Sequence, residues 1–262
     1  MKVWTLFSGS SGNAVYVETA TTRVLIDAGQ SGKTISAALE EACGRSLRDL
    51  DGLLLTHGHR DHITGVGVLA RRYHLPVYAT EGTWCELDRL PGTIEEEQKH
   101  YICAQHSFQI GALKIEPFPV SHDAMEPVGF LLSEGGKTLG IATDSGVFTA
   151  QMERALANVN ALILEANHDL EMLKNGPYPW PLKKRISGVR GHLSNDRAAH
   201  GLLRILGKAT HKVLLAHLSA ENNDPALALH TVRDILENNQ VNLEEVDVVV
   251  APRYKPSACI EV

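Results

Sequence analysis

The stretch that decides the fold reads Leu53-Leu54-Leu55-Thr56-His57-Gly58-His59-Arg60-Asp61-His62. Its apolar start predicts a short buried strand, and the polar residues that follow lie at the carboxyl end of that strand, where α/β proteins bind ligands. Residues 57 and 59 are two apart, so an extended backbone points both imidazoles to one side. One metal ion could take His57 and His59, and a second could take Asp61 and His62 on the turn into a helix predicted over 63–73.

The same pattern returns in four later predicted strands, each of which ends in a ligand-type side chain. These strands are followed by His122, by Asp144, by the segment 165–169 with His168, and by His217. One surface histidine has no significance, but five such strand ends indicate a common edge with metal at it. Asp27 ends a further predicted strand, either as a turn cap or as a carboxylate that orients a ligand histidine.

The order of predicted elements indicates an α/β fold. Strands alternate with helices in two similarly built halves, which predicts a double sheet between layers of helices. No stretch rich in Pro, Gly or Ser is long enough to mark a linker. We therefore expect residues 1–262 to form a single domain.

Composition narrows the class of protein. The chain has 262 residues, 44% of them hydrophobic, and no apolar tract of the length that spans a bilayer, so no membrane partner is expected. Its four cysteines are scattered without CxxC spacing, which favours reduced thiols and a cytoplasmic location. The net charge of −6 argues against indiscriminate coating of nucleic acid, although a local basic cleft remains compatible with it.

A basic segment lies between the fourth and fifth of these strand ends. Five basic residues fall within fifteen positions, at 183, 184, 185, 190 and 197. They either track a nucleic-acid backbone or form a solvated helix face. We count Lys184, Arg185, Arg190 and Ser194 as candidate substrate-binding residues, while Ser194 or Asn195 also suits the N-cap of a helix to about residue 206. Tyr178 and Trp180 either stack on a base or pack a proline-rich loop.

Five motifs in order resemble the metallo-β-lactamase superfamily. They are Leu25-Ile26-Asp27-Ala28-Gly29, the HxHxDH stretch, Pro119-Val120-Ser121-His122, Thr143-Asp144-Ser145-Gly146 and Ala216-His217-Leu218-Ser219. Three further segments, 7–13, 165–169 and 191–195, are similar to the YycJ/WalJ branch of that superfamily. The resemblance implies a four-layer αββα sandwich with a dinuclear site at one edge.

The resemblance also implies a ligand set, an activity and a cofactor. His57, His59 and His122 would bind the first metal ion, Asp61, His62 and His217 the second, and Asp144 would bridge the two. His168 is an additional histidine at a strand end that competes with His217 for the second ion, and the strand-end setting favours His217. Members of this branch are described as manganese-dependent 5′-to-3′ exonucleases acting on DNA. The nitrogen and oxygen ligands suit Mn²⁺ and Zn²⁺ alike, so two divalent ions of either kind are expected.

Two cations that share a deprotonated water can clamp a phosphodiester, and a bridging hydroxide then serves as the nucleophile. No Ser or Cys nucleophile is needed, in agreement with the lack of a GxSxG element. His192 is the candidate proton donor, and His168 the candidate contact to the scissile phosphate. Asp61 is counted among the catalytic residues as well as the ligands. For both histidines the alternative is a solvent-facing loop side chain.

Other functions use the same core. Hydrolysis of a small ester, thioester or lactone is one, and the net charge of −6 slightly favours it. RNA processing, such as maturation of transfer-RNA 3′ ends, is another, although no long Gly-rich arm is evident. An oxygen-reducing diiron protein would be expected to carry Glu at position 59, where this chain has His59. A non-enzymatic metal-binding regulator would need a broken site, and every ligand position here is filled. The sequence identifies no protein partner.

Overall fold

The computed structural model describes residues 1–88, 92 and 94–262. Two sheets of seven strands each form the centre of the molecule. The strands are β1 Lys2–Phe7, β2 Ala14–Glu18, β3 Arg23–Ile26, β4 Gly52–Leu54, β5 Val77–Ala79, β6 Lys99–Tyr101, β7 Phe108–Ile110, β8 Leu113–Pro119, β9 Val128–Glu134, β10 Lys137–Ala142, β11 Ala161–Glu165, β12 Lys212–Ala216, β13 Asp247–Val250 and β14 Ile260–Glu261. The α-helices are α1 Gly32–Cys43, α2 Arg60–Ile63, α3 Val66–Tyr73, α4 Glu81–Leu87, α5 Ala150–Leu156, α6 Leu170–Asn175, α7 Trp180–Ser187, α8 Asn195–Ile205 and α9 Pro225–Asn238. Short 3₁₀ turns occupy Leu47–Asp49 and Glu96–Gln98.

Both sheets mix antiparallel and parallel pairing in the same way. The first has the order β14-β1-β2-β3-β4-β5-β6, and the second β13-β12-β11-β10-β9-β8-β7. In the first, β1 to β3 pair antiparallel and β3 to β6 pair parallel. In the second, β7 to β10 are antiparallel and β10 to β13 are parallel. Because parallel strands end at a common edge, β3, β4, β10, β11 and β12 can all deliver side chains to one place.

Three hydrophobic clusters separate four layers. One cluster joins the first sheet to residues of α1, α3 and α4, and another joins the second sheet to residues of α5, α8 and α9. The third lies between the sheets, with Val24, Leu54, Ile141, Ile163 and Leu214 among its members. The strands that meet there read as continuous apolar runs because they are covered on both faces. The predicted αββα sandwich is confirmed.

The helix predicted over 63–73 is divided into α2 and α3. The break falls at Thr64 and Gly65, where the Gly65 amide donates to the carbonyl of Ala28 at 2.7 Å. A Cβ at position 65 would lie 2.4 Å from the Gln30 carbonyl oxygen, so only glycine allows this approach. The two short helices let the loop after β3 pack directly behind the His-rich turn.

Other local differences concern helices. The sequence pattern also predicts a short helix over 83–90. The observed helix α4 begins at Glu81 and ends at Leu87, and the predicted end at Leu90 lies outside the described residues. The proline-rich stretch 177–181, read as an irregular loop, leads into α7, which has Pro181 in its first turn. All side chains of α7 are described, and none is buried. Among the helices that the structure describes, none has the length and apolarity needed to cross a bilayer.

Three strand ends have an unusual backbone. Asp27, Asp144 and His217 follow β3, β10 and β12 with φ of 62°, 59° and 56°. This left-handed conformation is uncommon for residues other than glycine, and it persists only where the surroundings enforce it. All three residues are buried. Such positions cluster at functional sites, and these three lie at the shared edge.

Candidate metal centre

Histidine and carboxylate side chains converge at the carboxyl edge of the two sheets. Potential ligand atoms of His57, His59 and His122 lie within 4.8 Å of one another, as do those of Asp61, His62 and His217. A third group, of His57, His62 and Asp144, joins the first two, and a fourth brings Asp144, Glu165, His192 and His217 together. The cluster therefore offers two adjacent three-residue sites with a shared aspartate between them.

Each side of the sandwich supplies part of the cluster. The turn after β4 carries His57 and His59, and α2 carries Asp61 and His62. The second sheet supplies His122 after β8, Asp144 after β10 and His217 after β12. Sequence separations of up to 160 residues are bridged because the strand ends face each other across the sandwich.

Asp144 occupies the centre of the cluster. Its Oδ2 lies 3.3 Å from Nε2 of His62, and its Oδ1 lies 3.8 Å from Nε2 of His122. Oδ1 is also 3.4 Å from Nδ1 of His217. The two carboxylate oxygens together thus face histidines from both groups, which is the arrangement expected of a bridging ligand.

Four of the five candidate ligand histidines have a fixed partner on Nδ1. His62 faces Oδ2 of Asp27 at 2.7 Å, and His217 faces Oε1 of Glu165 at 3.0 Å. His57 faces the Thr56 hydroxyl at 3.0 Å, and His122 faces the Gly191 carbonyl at 2.9 Å. Such partners hold the ring orientation and the tautomer of a metal-binding histidine. The interpretation of Asp27 as an orienting carboxylate agrees with this geometry.

Glu165 is the main residue that sequence reasoning passed over. It ends β11 and is fully buried. Oε1 faces Nδ1 of both His192, at 2.7 Å, and His217, at 3.0 Å, while Oε2 accepts from the backbone amides of Ser145 and Leu193. Burial alone would raise the pKa of Glu165, but these histidines lower it to about 2. The sequence does contain a signal for Glu165, because Glu165 is itself a carboxylate at a strand end. The prediction for this strand end was placed on the neighbouring His168 instead.

The electrostatics of the cluster favour a cation. Burial and the charge on His62 lower the pKa of His57 well below its ordinary value, so His57 is neutral and able to ligate. Burial opposes the charge on His62 and on His217, yet Asp144 and other carboxylates raise both pKa values, that of His217 to about 10. Burial likewise opposes the charge on Asp144, but His217 and His62 hold its pKa well below the usual range. A bound metal ion would replace the protons on these histidines, because metal ligation requires neutral imidazole.

Two atoms test whether the residues present fit a metal. Nε2 of His57 and Oδ2 of Asp144 are buried, and neither has a hydrogen-bond partner in the described part of the chain. Buried polar atoms without a partner are costly and call for an unseen water or ion. Their nitrogen and oxygen chemistry, with no thiolate in the ligand groups, suits divalent cations. The residues therefore fit the predicted pair of ions.

A cleft of about 250 Å³ opens over the cluster. His59, Asp61, Asp144, His192 and His217 line its floor. Its walls come from Ser10, Asn167, Tyr178, Leu182, Arg185, Ile186 and Ser219. The cleft thus gives a substrate access to the ligand groups, with one cationic side chain in its wall.

Comparison with known proteins identifies the family. A family model described as a β-lactamase superfamily domain matches residues 22–218. The chain belongs to the metallo-β-lactamase superfamily. The solved structure of the metallo-β-lactamase fold protein YhfI from Bacillus subtilis aligns with a TM-score of 0.74, covers 98% of both chains and is 15% identical. That likeness shows the fold.

Two curated relatives are closer in sequence. Exodeoxyribonuclease YycJ of Bacillus anthracis is 40% identical over 240 residues, which cover 92% of this chain and 90% of the relative. Exodeoxyribonuclease WalJ of Streptococcus pneumoniae is 44% identical over 229 residues, which cover 87% of this chain and 85% of the relative. The resemblance to the YycJ/WalJ branch of the metallo-β-lactamase superfamily is confirmed.

The structure brings together seven of the predicted site residues as the ligand groups of this metallo-β-lactamase centre, and it adds His192 to the cleft floor. Arg185 lines the cleft wall. Arg190 lies at the rim, where its Nε donates to the His122 carbonyl at 3.1 Å. Lys184 is exposed on α7, with Nζ 5.6 Å from the centre of the Trp180 ring.

Two predicted residues lie behind the cleft surface. His168 is 1% exposed, and both ring nitrogens lack a hydrogen-bond partner among the described residues. Burial lowers its pKa to about 4, so the ring is neutral. The Ser194 hydroxyl caps α8 by accepting from the amide of Arg197 at 3.2 Å, and Ser194 is 1% exposed. Neither side chain lines the cleft in which the ligand groups meet.

Proposed function

We propose that the protein is a metal-dependent exonuclease that removes nucleotides from DNA in the 5′-to-3′ direction. The observation that carries the proposal is the convergence of two ligand groups on Asp144, beneath an open cleft that is also lined by His192, whose ring is held from behind by the buried Glu165. The relatives named exodeoxyribonuclease, at 40% and 44% identity over most of the chain, support DNA as the substrate.

A pair of divalent cations, when bound, supplies the Lewis acidity that activates water and neutralises phosphodiester charge. His57, His59, His122 and Asp144 would hold one cation, and Asp61, His62, Asp144 and His217 the other. We favour manganese because carboxylate oxygens contribute to both sites and the groups contain no thiolate. Zinc fits the same atoms, and metal analysis of the purified protein decides between the two.

We assign the proton for the leaving alkoxide to His192. Burial opposes its charge, but Glu165 at 2.7 Å raises the pKa of His192 above its ordinary value. Glu165 also fixes Nδ1, which leaves Nε2 to serve the cleft. A histidine that retains its proton near neutral pH is suited to act as a general acid.

Arg185 provides the cleft wall with a cation for a substrate phosphate. Its side chain lines the cleft and is 56% exposed, so it is accessible to a ligand. Guanidinium groups bind phosphate oxygens through charge-assisted hydrogen bonds. We assign His168 and Ser194 to support of the site, because one is enclosed and the other already caps a helix.

We place the enzyme in the cytoplasm. All four cysteines are free thiols, three of them exposed, and exposed thiols persist in a reducing compartment. The proposed activity requires DNA with a free 5′ end as its substrate in this compartment.

The test is incubation of metal-loaded protein with end-labelled single- and double-stranded DNA and RNA, alongside a lactone and a thioester. We expect mononucleotides to be released from DNA carrying a 3′ label before the label itself is released. Turnover of the lactone or thioester with intact DNA would contradict the proposal, and preferential degradation of RNA would move it to an RNA-processing nuclease. Chelation of the metal should stop the reaction.

A further inference from the structure

His59 differs from the other candidate ligand histidines in its outer partner. Nδ1 of His59 faces the cluster, 3.1 Å from Nε2 of His122. The opposite ring nitrogen, Nε2, has no hydrogen-bond partner at or below 3.5 Å among the described residues, whereas the other four have a fixed partner on the nitrogen that faces outward. The nearest acceptor to Nε2 is Oδ1 of Asp123, at 3.8 Å.

Asp123 has an unsatisfied oxygen pointing toward this histidine pair. Oδ1 is buried without a hydrogen-bond partner in the described chain, and it lies 3.5 Å from Nε2 of His122. A buried carboxylate oxygen without a partner is rare and costly. In the same centre, His57 Nε2 and Asp144 Oδ2 are also buried without a hydrogen-bond partner among the described residues. Asp123 itself is absent from the groups whose ligand atoms converge within 4.8 Å.

The other oxygen of Asp123 is firmly held. Nε of Arg185 donates to Oδ2 at 2.5 Å, which ties α7 to the loop that follows β8. Because α7 has no buried side chain, contacts such as this ion pair fix it over the cleft. Arg185 therefore sets the direction in which Oδ1 points.

We propose that Asp123 is a positioning residue for the first metal site. Oδ1 of Asp123 accepts from Nε2–H of His59, which keeps the Nδ1 lone pair of His59 available to the metal. Arg185 holds the Asp123 carboxylate in place. The 3.8 Å separation exceeds hydrogen-bond distance by only about 0.6 Å. Ligand histidines commonly donate their second ring N–H to a carboxylate, a backbone carbonyl or another fixed acceptor. With Asp123 as the partner of His59, all five histidines would have such an acceptor. The proposal rests on the metal centre of the proposed function and not on the identity of its substrate.

The test is calorimetric titration of metal-free protein with Mn²⁺, without DNA. Wild-type protein should bind two ions. Asp123→Ala should weaken one of them by ~10–100-fold, the usual effect of removing such a partner, and leave the other unchanged. Asp123→Asn, which keeps an acceptor oxygen, should lose less, and Arg185→Ala should shift the same constant in the same direction. Asp196→Asn on α8, a matched loss of one negative charge, should change neither constant.

A second readout reports the tautomer directly. In Zn²⁺-loaded protein, ¹⁵N shifts should show the His59 ring protonated on Nε2, and Asp123→Ala should give mixed or exchanging ring signals. Unchanged affinities for both ions in Asp123→Ala would overturn the proposal. Complete loss of one ion, as expected for His59→Ala, would also overturn it by making Asp123 a direct ligand. A wild-type protein that binds no ion would overturn the proposed function as well, whereas the first two outcomes leave that function standing.

Discussion

The metal centre and helix α7 lie on opposite sides of one cleft and are built on different principles. Asp144 and His217 are buried after strand ends and His62 is buried in α2, and each has several fixed partners. Helix α7 has no buried side chain and is held at its periphery, by the ion pair of Arg185 with Asp123 and by Arg197 of α8, whose Nη1 donates to the Ser187 carbonyl at 3.1 Å. The core of the sandwich fixes the positions of the side chains in the metal centre, whereas helix α7 is attached to the surface of the sandwich.

This difference separates chemistry from substrate choice. Changes in the buried cluster must disturb several charges that depend on one another, so they should remove catalysis outright. Changes on α7 leave the core intact and should act on substrate affinity, except at Arg185, which also affects the first metal site through Asp123. The four predictions below test that division, from the largest expected effect to the smallest.

Replacement of Asp144 by alanine should abolish turnover and reduce metal content. Its two oxygens face histidines of both ligand groups, so one substitution affects both ions. Metal content is measured by mass spectrometry after gel filtration and compared with nuclease activity. Retention of two ions at wild-type affinity would break the comparison, because the centre would then not depend on its central carboxylate.

Replacement of His192 by alanine should slow turnover by ~10²–10⁴-fold, the usual contribution of a general acid or base. Metal content should stay at the wild-type level, because Nδ1 of His192 faces Oε1 of Glu165 at 2.7 Å and His192 belongs to neither of the two groups assigned to the ions. Its ligand atom does lie within 4.8 Å of those of Asp144, Glu165 and His217, so metal content is the decisive measurement. The rate is measured with saturating metal. Loss of an ion in this variant would reassign His192 as a ligand.

His168 should make the folded state sensitive to acid. Its pKa is about 4 in the folded protein against an ordinary 6.5, so the unfolded chain takes up the proton first. Full stability is present above pH 6.5 and falls between pH 6.5 and 4, by roughly 3 kcal/mol in total. In metal-free protein, His168→Gln should lose less of its unfolding free energy over this window, as measured by denaturant titration. Parallel curves for the two proteins would contradict a neutral buried His168.

Charge reversal of Lys184 and Arg185 together should weaken DNA binding and flatten its salt dependence. Each lost phosphate contact should reduce the slope of log K against log salt by about 0.7 for single strands. Binding is measured by fluorescence anisotropy in Ca²⁺, without turnover. The matched control is reversal of two exposed lysines at the opposite edge, Lys137, which begins β10, and Lys208, which precedes β12. An unchanged slope would remove α7 from the substrate path.

The sequence predicted the cluster because its ligands follow recognisable apolar strands. The HxHxDH stretch and the strand ends at His122, Asp144 and His217 converge as expected. These side chains are identifiable without coordinates because the carboxyl ends of parallel strands share an edge.

The other features of the site depend on the directions in which side chains point, and the spacing of residues in the sequence does not determine those directions. His168 and His217 both follow strands, but His217 turns inward through a left-handed backbone, while His168 points into an enclosed pocket of the protein. The role of Glu165 emerges only when β11 lies between β10 and β12. Helix α7 was hidden because its prolines resemble those of a loop, although proline is well tolerated in the first turn of a helix.

The left-handed strand ends carry a consequence for durability. Asp27, Asp144 and His217 each hold a conformation that costs of order 1–3 kcal/mol, and no backbone rearrangement can relieve it without moving a ligand or its support. Glycine at these positions would relieve the backbone strain, but it would also remove a side chain on which the reaction centre depends. The strained backbone at these three residues orients the charged side chains of the centre, and it also lowers the stability of the fold. Substitutions that aim to make the enzyme more heat-resistant should therefore be made at other positions.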